Sequence, residues 1–428
     1  MENKIILFNN KRDCAGCSAC MNICPKQAIT MKKDENGFIY PFIDESKCIK
    51  CGMCKKVCSY QNDKEENKII KTYASVSKDD NLLKKSSSGG IFGTIAKSFI
   101  NNSGVVYGCS MEYKDNFLTP MHIRVDNLND LEKLQGSKYV KSEINFTYQN
   151  IKNDLKENNK VLFSGTPCQI AALKSYLKIS RVNTNNLFTI DIICHGTPST
   201  KFFQDYVKFL EKKNRRKLVN LMFRDKKYGW NLKGTAFYKG TDNKILEKIF
   251  YNKLSSYYNY FLTSKTYREN CYSCKYANSQ RVGDITIGDF WGIETEHSEY
   301  LKENGGVLQI NKGVSCILVN TIQGKSLLKN YGKDLILLDS TFEKAAKTNK
   351  QLNHPCNMPG EREKIMKIYR EKGYEAVDEY YQKSQGLKQK IRPIYYKIKA
   401  IAQRKLGGVD LSLLFPNDIC FNYEGGII

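Results

Sequence analysis

Beyond residue 67 the apolar positions switch between two periods. Residues 71–76 read as a short strand. Ser86-Ser-Ser-Gly-Gly90 then leads into an apolar helical pattern over 91–100, and GVVYGC at 104–109 reads as another strand. The middle of the chain repeats one unit. Residues 160–163 form a buried strand, 164–167 a turn and 170–177 a helix; LFTIDIIC at 187–194, the turn 195–199 and the helix 201–212 follow the same order. Further β-rich stretches lie around 218–224 and 234–238 and at GDITIG, 283–288, and a last strand and helix at 316–328. From about residue 343 the pattern is helical and basic. Ile391, Ile394, Tyr395, Ile398 and Ile401 share one face there, with Arg392, Lys397, Lys399 and Arg404 largely off it. Such a helix fits packing on its own domain, and equally a partner or a peripheral membrane contact.

At 428 residues the chain exceeds what one hydrophobic core usually holds, so two to four domains are expected. Its 41% hydrophobic and 26% charged residues are those of an ordinary globular protein. No apolar stretch approaches the twenty or so residues of a transmembrane segment, and the N-terminus lacks the pattern of a secretion signal. A soluble, cytoplasmic protein is the expectation. The net charge of +24 favours acidic partners, such as a polyanionic coenzyme or an acidic electron carrier. No zinc-finger or RNA-binding aromatic motif accompanies the scattered lysines and arginines, so no nucleic-acid partner is expected.

Sixteen cysteines change this picture, and half of them fall in residues 1–60. Cys14, Cys17, Cys20 and Cys24 carry the spacing C-x-x-C-x-x-C-x-x-x-C-P. Cys48, Cys51, Cys54 and Cys58 repeat it 34 residues on, with Ser59 in place of the proline. Zinc also uses C-x-x-C pairs but has no use for a third cysteine at the same spacing and then a fourth. Two [4Fe-4S] clusters do. Cys14, Cys17, Cys20 and Cys58 are predicted to hold one, and Cys48, Cys51, Cys54 and Cys24 the other, each fourth ligand crossing between the halves. The segment resembles bacterial-type ferredoxin modules, and the polar run at 61–67 reads as the linker that ends it.

Four more cysteines could form a third site. Cys168 follows VLFSGTP, Cys194 ends LFTIDIIC, and Cys271 and Cys274 form a C-x-x-C pair. The carboxyl ends of strands in an open sheet are where sites gather, so Cys168 and Cys194 could face each other there. From spacing alone, a third cluster, a zinc site and buried free thiols all stand. Cys109, Cys316, Cys356 and Cys420 read as buried small apolar residues. The turn Ser86–Gly90 opens a helix and could cradle an anion or simply cap that helix. Gly136-Ser-Lys-Tyr-Val140 adds a basic and an aromatic side chain near another tight turn.

Taken together and in order, SSSGGIFGTIAK from Ser86, GSKYVKS from Gly136, SGTPCQIAAL from Ser164, CHGTPS from Cys194, FRDKKYGW from Phe223, CYSCKYAN from Cys271 and GDITIGDFWG from Gly283 resemble the family of coenzyme F420 hydrogenase/dehydrogenase beta subunits, here with a fused N-terminal 2[4Fe-4S] ferredoxin. The resemblance implies an α+β and α/β multidomain fold. A ferredoxin domain would occupy 1–66, a region like the N-terminal part of the beta subunits, with flavin contacts, 67–150, a mixed α/β domain with flavin and a third cluster 151–340, and a basic helical tail 341–428. It implies FAD, a third [4Fe-4S] cluster on Cys168, Cys194, Cys271 and Cys274, and flavin contacts from Ser87, Ser88, Gly89, Gly90, Ser137, Lys138 and Tyr139, with Asp289 and Trp291 lining the pocket. His195, beside a proposed ligand, reads as a turn histidine or as a hydrogen-bond donor to cluster or flavin. The implied activity is that of an oxidoreductase passing electrons between the clusters and an FAD that exchanges a hydride with a coenzyme F420-like deazaflavin. A ferredoxin-like carrier or another oxidoreductase subunit is the implied redox partner. The alternative is an electron-carrier subunit without flavin chemistry. No side-chain acid or base is assigned.

Overall fold

The computed structural model describes residues 5–62, 66–386, 391, 392 and 394–396. Strands β1 (Ile29–Lys33) and β2 (Ile39–Ile43) pair as an antiparallel hairpin in the cysteine-rich segment. The main sheet takes β3 (Lys71–Ser77), β4 (Val105–Lys114), β5 (Phe117–Val125), β6 (Val161–Gly165) and β7 (Leu187–Ile192). Three further strands, β8 (Leu218–Met222), β9 (Lys233–Lys239) and β10 (Ile245–Tyr251), form a small antiparallel sheet. Then β11 (Ile285–Asp289), β12 (Ser315–Val319) and β13 (Leu335–Ser340) return to the main sheet, whose order is β13-β3-β12-β11-β7-β6-β4-β5.

At its centre β4, β6, β7 and β11 run parallel. β6 and β7 are short, apolar and almost wholly buried, as strands covered on both faces must be. Because β12 is antiparallel to both β11 and β3, β3 runs in the same sense as β11. The carboxyl ends of β3, β6, β7 and β11 therefore share one edge. This single sheet draws strands from both sides of residue 150.

The cysteine-rich segment shares cores with the rest of the chain. Ala15, Ala19, Val57 and Tyr60 pack with Val161, Phe163, Ile170 and Tyr276, while Phe38 and Tyr40 join an aromatic core with Phe202, Tyr257 and Tyr369. Polar contacts reinforce the seam: the Arg268 guanidinium donates to the carbonyls of Cys14 and Ile39, at 2.8 and 3.0 Å. The departure at Ser59 has a structural correlate, since its carbonyl accepts from the Tyr276 hydroxyl at 3.1 Å.

Past the main sheet, the helix Glu361–Gln385 buries Ile365, Met366, Tyr369, Tyr374, Val377 and Tyr381 in the aromatic core. Of the amphipathic face predicted further on, Ile391 and Ile394 are exposed. Lys397, Ile398, Lys399, Ile401, Arg404 and Cys420 lie outside the described residues. No described helix is long and apolar enough to cross a membrane.

Candidate redox site

Residue Cys168 stands at the start of the helix Pro167–Ile179, directly after β6, where Thr166 caps and Pro167 fits the first turn. Cys194 follows the carboxyl end of the neighbouring parallel strand β7. Adjacent parallel strands thus deliver both thiols to the same sheet edge. The short 3-10 turn Glu269–Ser273 and its end at Cys274 bring the remaining pair across from the aromatic core. All four line one cavity, together with Lys141, His195, Arg268 and Arg281.

Burial dominates the electrostatics of this cavity. It pushes the Cys271 thiol up to about 11 and the Cys274 thiol up to about 12, and Cys194 higher still, with the other thiols adding to each shift. Such groups ionise only when a positive core joins them, so binding a metal cluster here releases protons. Cationic and orphaned donors fit the resulting negative charge. Lys141 Nζ lies 3.6 Å from Cys168 Sγ. One Arg268 guanidinium nitrogen and His195 Nδ1 are buried without partners. Burial also holds His195 neutral, lowering its pKa to about 4.

The first eight cysteines sort into two groups in space. Cys58 acts electrostatically on Cys14, Cys17 and Cys20, which places the four together. Cys24 joins Cys48, Cys51 and Cys54 around a second cavity of about 340 Å³. Among the described residues no group of three or more His, Cys, Asp or Glu side chains is drawn tightly enough to hold a single metal ion. Two of the three cysteine sets line cavities: Cys168, Cys194, Cys271 and Cys274 the first, and Cys24, Cys48, Cys51 and Cys54 the second. Cys17 also faces Cys168, so the first ferredoxin group adjoins the cavity of Cys168 and its neighbours.

Most of the residues singled out for flavin contact form a linked patch, whose Asp289 acts electrostatically on His195 of this cavity. The Ser87 hydroxyl accepts from the Ser137 backbone N–H at 2.8 Å, which joins the two turns. Ser88 donates to the Val314 carbonyl, and Gly89 N donates to the Ser315 hydroxyl. A Cβ on Gly89 would come within 2.5 Å of the Ser75 carbonyl, and Gly90 has φ +78°, so the turn needs both glycines. The helix that follows, Ile91–Asn101, starts at Gly90 with no side-chain cap.

Around the turn stand Lys226, whose ammonium donates to the Ser88 carbonyl, and Arg224, which pairs with Asp289 at 2.5 Å. Burial, with Arg224 nearby, lowers the Lys226 pKa to about 7. Asp289 accepts from Trp230 Nε1 as well, and Trp230 stacks on Trp291 with ring centroids 4.5 Å apart. Both carboxylate oxygens of Asp289 are thereby engaged in holding Arg224 and Trp230. Tyr139 stacks on Phe261 at 4.3 Å. Lys138 donates to the Lys133 and Gln135 carbonyls at the end of the helix Leu128–Leu134, and its desolvated amine is lowered to about 8. Sequence reasoning missed Lys141, Arg224, Lys226 and Arg268. The first three lie inside the quoted stretches GSKYVKS and FRDKKYGW, so their segments were visible while their roles were not.

The paired cysteine sets and the mixed sheet with its cysteine-lined edge define an iron-sulfur electron-transfer protein. Residues 158–341 match the family described as the C terminus of the beta subunit of coenzyme F420 hydrogenase/dehydrogenase, and residues 13–62 match the 4Fe-4S dicluster domain. The chain thus carries a C-terminal domain of the coenzyme F420 hydrogenase/dehydrogenase beta-subunit family and, toward its N-terminal end, a 4Fe-4S dicluster domain. It is 23% identical to the F subunit of the F420H2 dehydrogenase of Methanosarcina mazei over 235 residues, which is 50% of this chain and 63% of the relative. It therefore spans less than two thirds of that relative's length. An uncharacterised ferredoxin of Methanocaldococcus jannaschii is 33% identical over 76 residues, 18% of this chain and 91% of the ferredoxin. Among solved structures, a chain of the F420-reducing [NiFe] hydrogenase complex from Methanosarcina barkeri aligns over 66% of this chain and 89% of its own, at 15% identity and TM-score 0.39.

Proposed function

We propose that the chain is a flavin- and iron-sulfur-dependent oxidoreductase, in which the ferredoxin domain exchanges single electrons with a partner protein and a bound FAD exchanges a hydride with a deazaflavin of the coenzyme F420 type. The observation that carries this reading is the cavity ringed by Cys168, Cys194, Cys271 and Cys274: Cys168 acts electrostatically on Cys17 of the first ferredoxin group, and the cavity's His195 feels Asp289 of the patch that also holds the Ser86–Gly90 turn, Ser137, Tyr139, Arg224, Lys226 and Trp291. The family and the relative's name supply the coenzyme.

In this reading Cys14, Cys17, Cys20 and Cys58 hold one [4Fe-4S] cluster, Cys24, Cys48, Cys51 and Cys54 a second, and the four cavity cysteines a third. FAD, when bound, supplies the conversion between one-electron and hydride transfer. The residues of the chain supply everything around it. The uncapped helix start and the turn of Ser87, Ser88, Gly89 and Gly90 would hold its phosphates, with Lys226 beside them. Arg224 is held by Asp289 and leaves one guanidinium nitrogen buried and unpaired, available to a polar edge of the ring system. Trp230 and Trp291 present an apolar wall.

Cysteine replacement and a turnover assay test this. Cys168→Ser is expected to lower iron from about twelve to about eight per chain, leave the ferredoxin clusters reducible, and stop electrons reaching the deazaflavin. Unchanged iron content would contradict the ligand set. Failure of the wild-type protein, carrying flavin, to reduce or oxidise the deazaflavin with any electron carrier would remove the proposed substrate.

A further inference from the structure

Lysine is almost never fully buried unless paired. Lys141 is 7% exposed, and among the described residues no carboxylate pairs with it. Its ammonium instead lies 3.6 Å from the Cys168 sulfur, and Cys271 of the cavity and Cys17 of the first ferredoxin group also act on it electrostatically, against Arg268. The backbone fixes it there. Lys141 N donates to the Pro198 carbonyl, and the Lys141 carbonyl accepts from the Thr200 hydroxyl at 3.0 Å. Arg268 places a second buried cation on the same seam, bound to the Cys14 carbonyl and lining the cavity.

A desolvated cation costs free energy unless negative charge stands beside it, and here Cys168, Cys271 and Cys17, ligands of two clusters, are the sulfurs that act on it. A [4Fe-4S] cluster becomes more negative by one unit on reduction. A fixed positive charge close by therefore favours the reduced form, most strongly where water is excluded. Two clusters that adjoin each other also repel one another's electrons, and a cation beside both offsets that repulsion by favouring the reduced form of each.

We propose that Lys141 is a positioning residue for electrons: it raises the reduction potential of the cluster on Cys168, Cys194, Cys271 and Cys274, and it lets that cluster and the first ferredoxin cluster be reduced at the same time. This rests on the third-cluster reading above. Each cluster accepts one electron by way of the second ferredoxin cluster, which the partner protein reduces, and no bond forms or breaks. The two electrons of a hydride are then stored side by side at the cavity.

The test is a redox titration of the full anaerobic protein followed by electron paramagnetic resonance, on wild type and on Lys141→Gln, Lys141→Met and Lys141→Arg. Lys141→Gln is expected to keep about twelve irons while the reduction equilibrium of the third cluster weakens at least tenfold, a downward shift of about 59 mV for one electron. The magnetic interaction between the two reduced clusters should then appear only at lower potential. Lys141→Arg should stay within about threefold of wild type. A Lys141→Gln protein with full iron and unchanged potentials overturns the inference. So does loss of the third cluster from both uncharged variants, because Lys141 would then build the site instead of tuning it. Wild-type protein with about eight irons is a different failure, since it removes the third cluster itself.

Discussion

Asp191 and Arg281 form a fully buried ion pair at 2.9 Å behind the cysteine cavity. Asp191 also accepts from Gly283 N, and Arg281 also donates to the Tyr276 carbonyl and to Thr286. Removing one partner leaves the other charge buried, so Arg281→Met is expected to cost about 3–5 kcal/mol. Anaerobic denaturant unfolding would show this as a lower midpoint, and a midpoint matching wild type would contradict the assignment.

His122 gives a second test at this scale. It is packed on Phe163, with its other ring nitrogen 3.0 Å from the Ser164 carbonyl, and burial lowers its pKa from 6.5 to about 4. The unfolded chain binds that proton more readily, so stability is complete above about pH 6.5 and falls as the pH drops toward 4. His122→Gln should flatten that slope, by up to about 3 kcal/mol across the window, when unfolding is followed at several pH values.

At the scale of elements, the turn Ser86–Gly90 is where conformation and site coincide. Gly89 has no room for a side chain between the Ser75 carbonyl and Ser315, so Gly89→Ala must shift the turn. The expected outcome is a stability loss of about 1–3 kcal/mol together with loss of flavin, while iron per chain is unchanged. Flavin content equal to wild type would separate the turn from the cofactor.

The elements themselves were largely legible. The strands β6 and β7 and their helices announce themselves as apolar runs ended by Gly, Pro and Ser, and the structure finds them at Val161–Gly165, Pro167–Ile179, Leu187–Ile192 and Thr200–Asn214. Less legible was β10, whose residues Ile245–Leu246–Glu247–Lys248 are exposed and show no buried stripe. The cysteine sets could be read because cluster ligands repeat at fixed spacing. Arg268 could not: its partners Cys14 and Ile39 stand 254 and 229 positions away, and only the tertiary fold brings them together.

For the whole molecule, the ferredoxin domain is built into the fold and is not simply tethered by the polar run at 61–67. Val57 accepts from Ser175, Tyr60 donates to the Asn270 and Ser273 carbonyls, and Ala15 and Ala19 complete a core of the main sheet. A chain starting at residue 67 would expose that apolar face, and it is expected to aggregate or to lose the third cluster even though all four cavity cysteines remain. A stable, monomeric truncated chain with about four irons would show instead that the two parts are independent.

The packing also sets the order of the cysteine groups. Cys51 is exposed on the outer group, while Cys17 of the inner group faces Cys168. In the proposed function electrons enter at the outer cluster and pass through the inner one to reach the cavity. That account stands on three clusters and a flavin in one polypeptide, so the most direct measurement is the iron, sulfide and flavin content of the anaerobically purified chain. About twelve irons, about twelve sulfides and one FAD per chain are predicted; about eight irons and no flavin would contradict it.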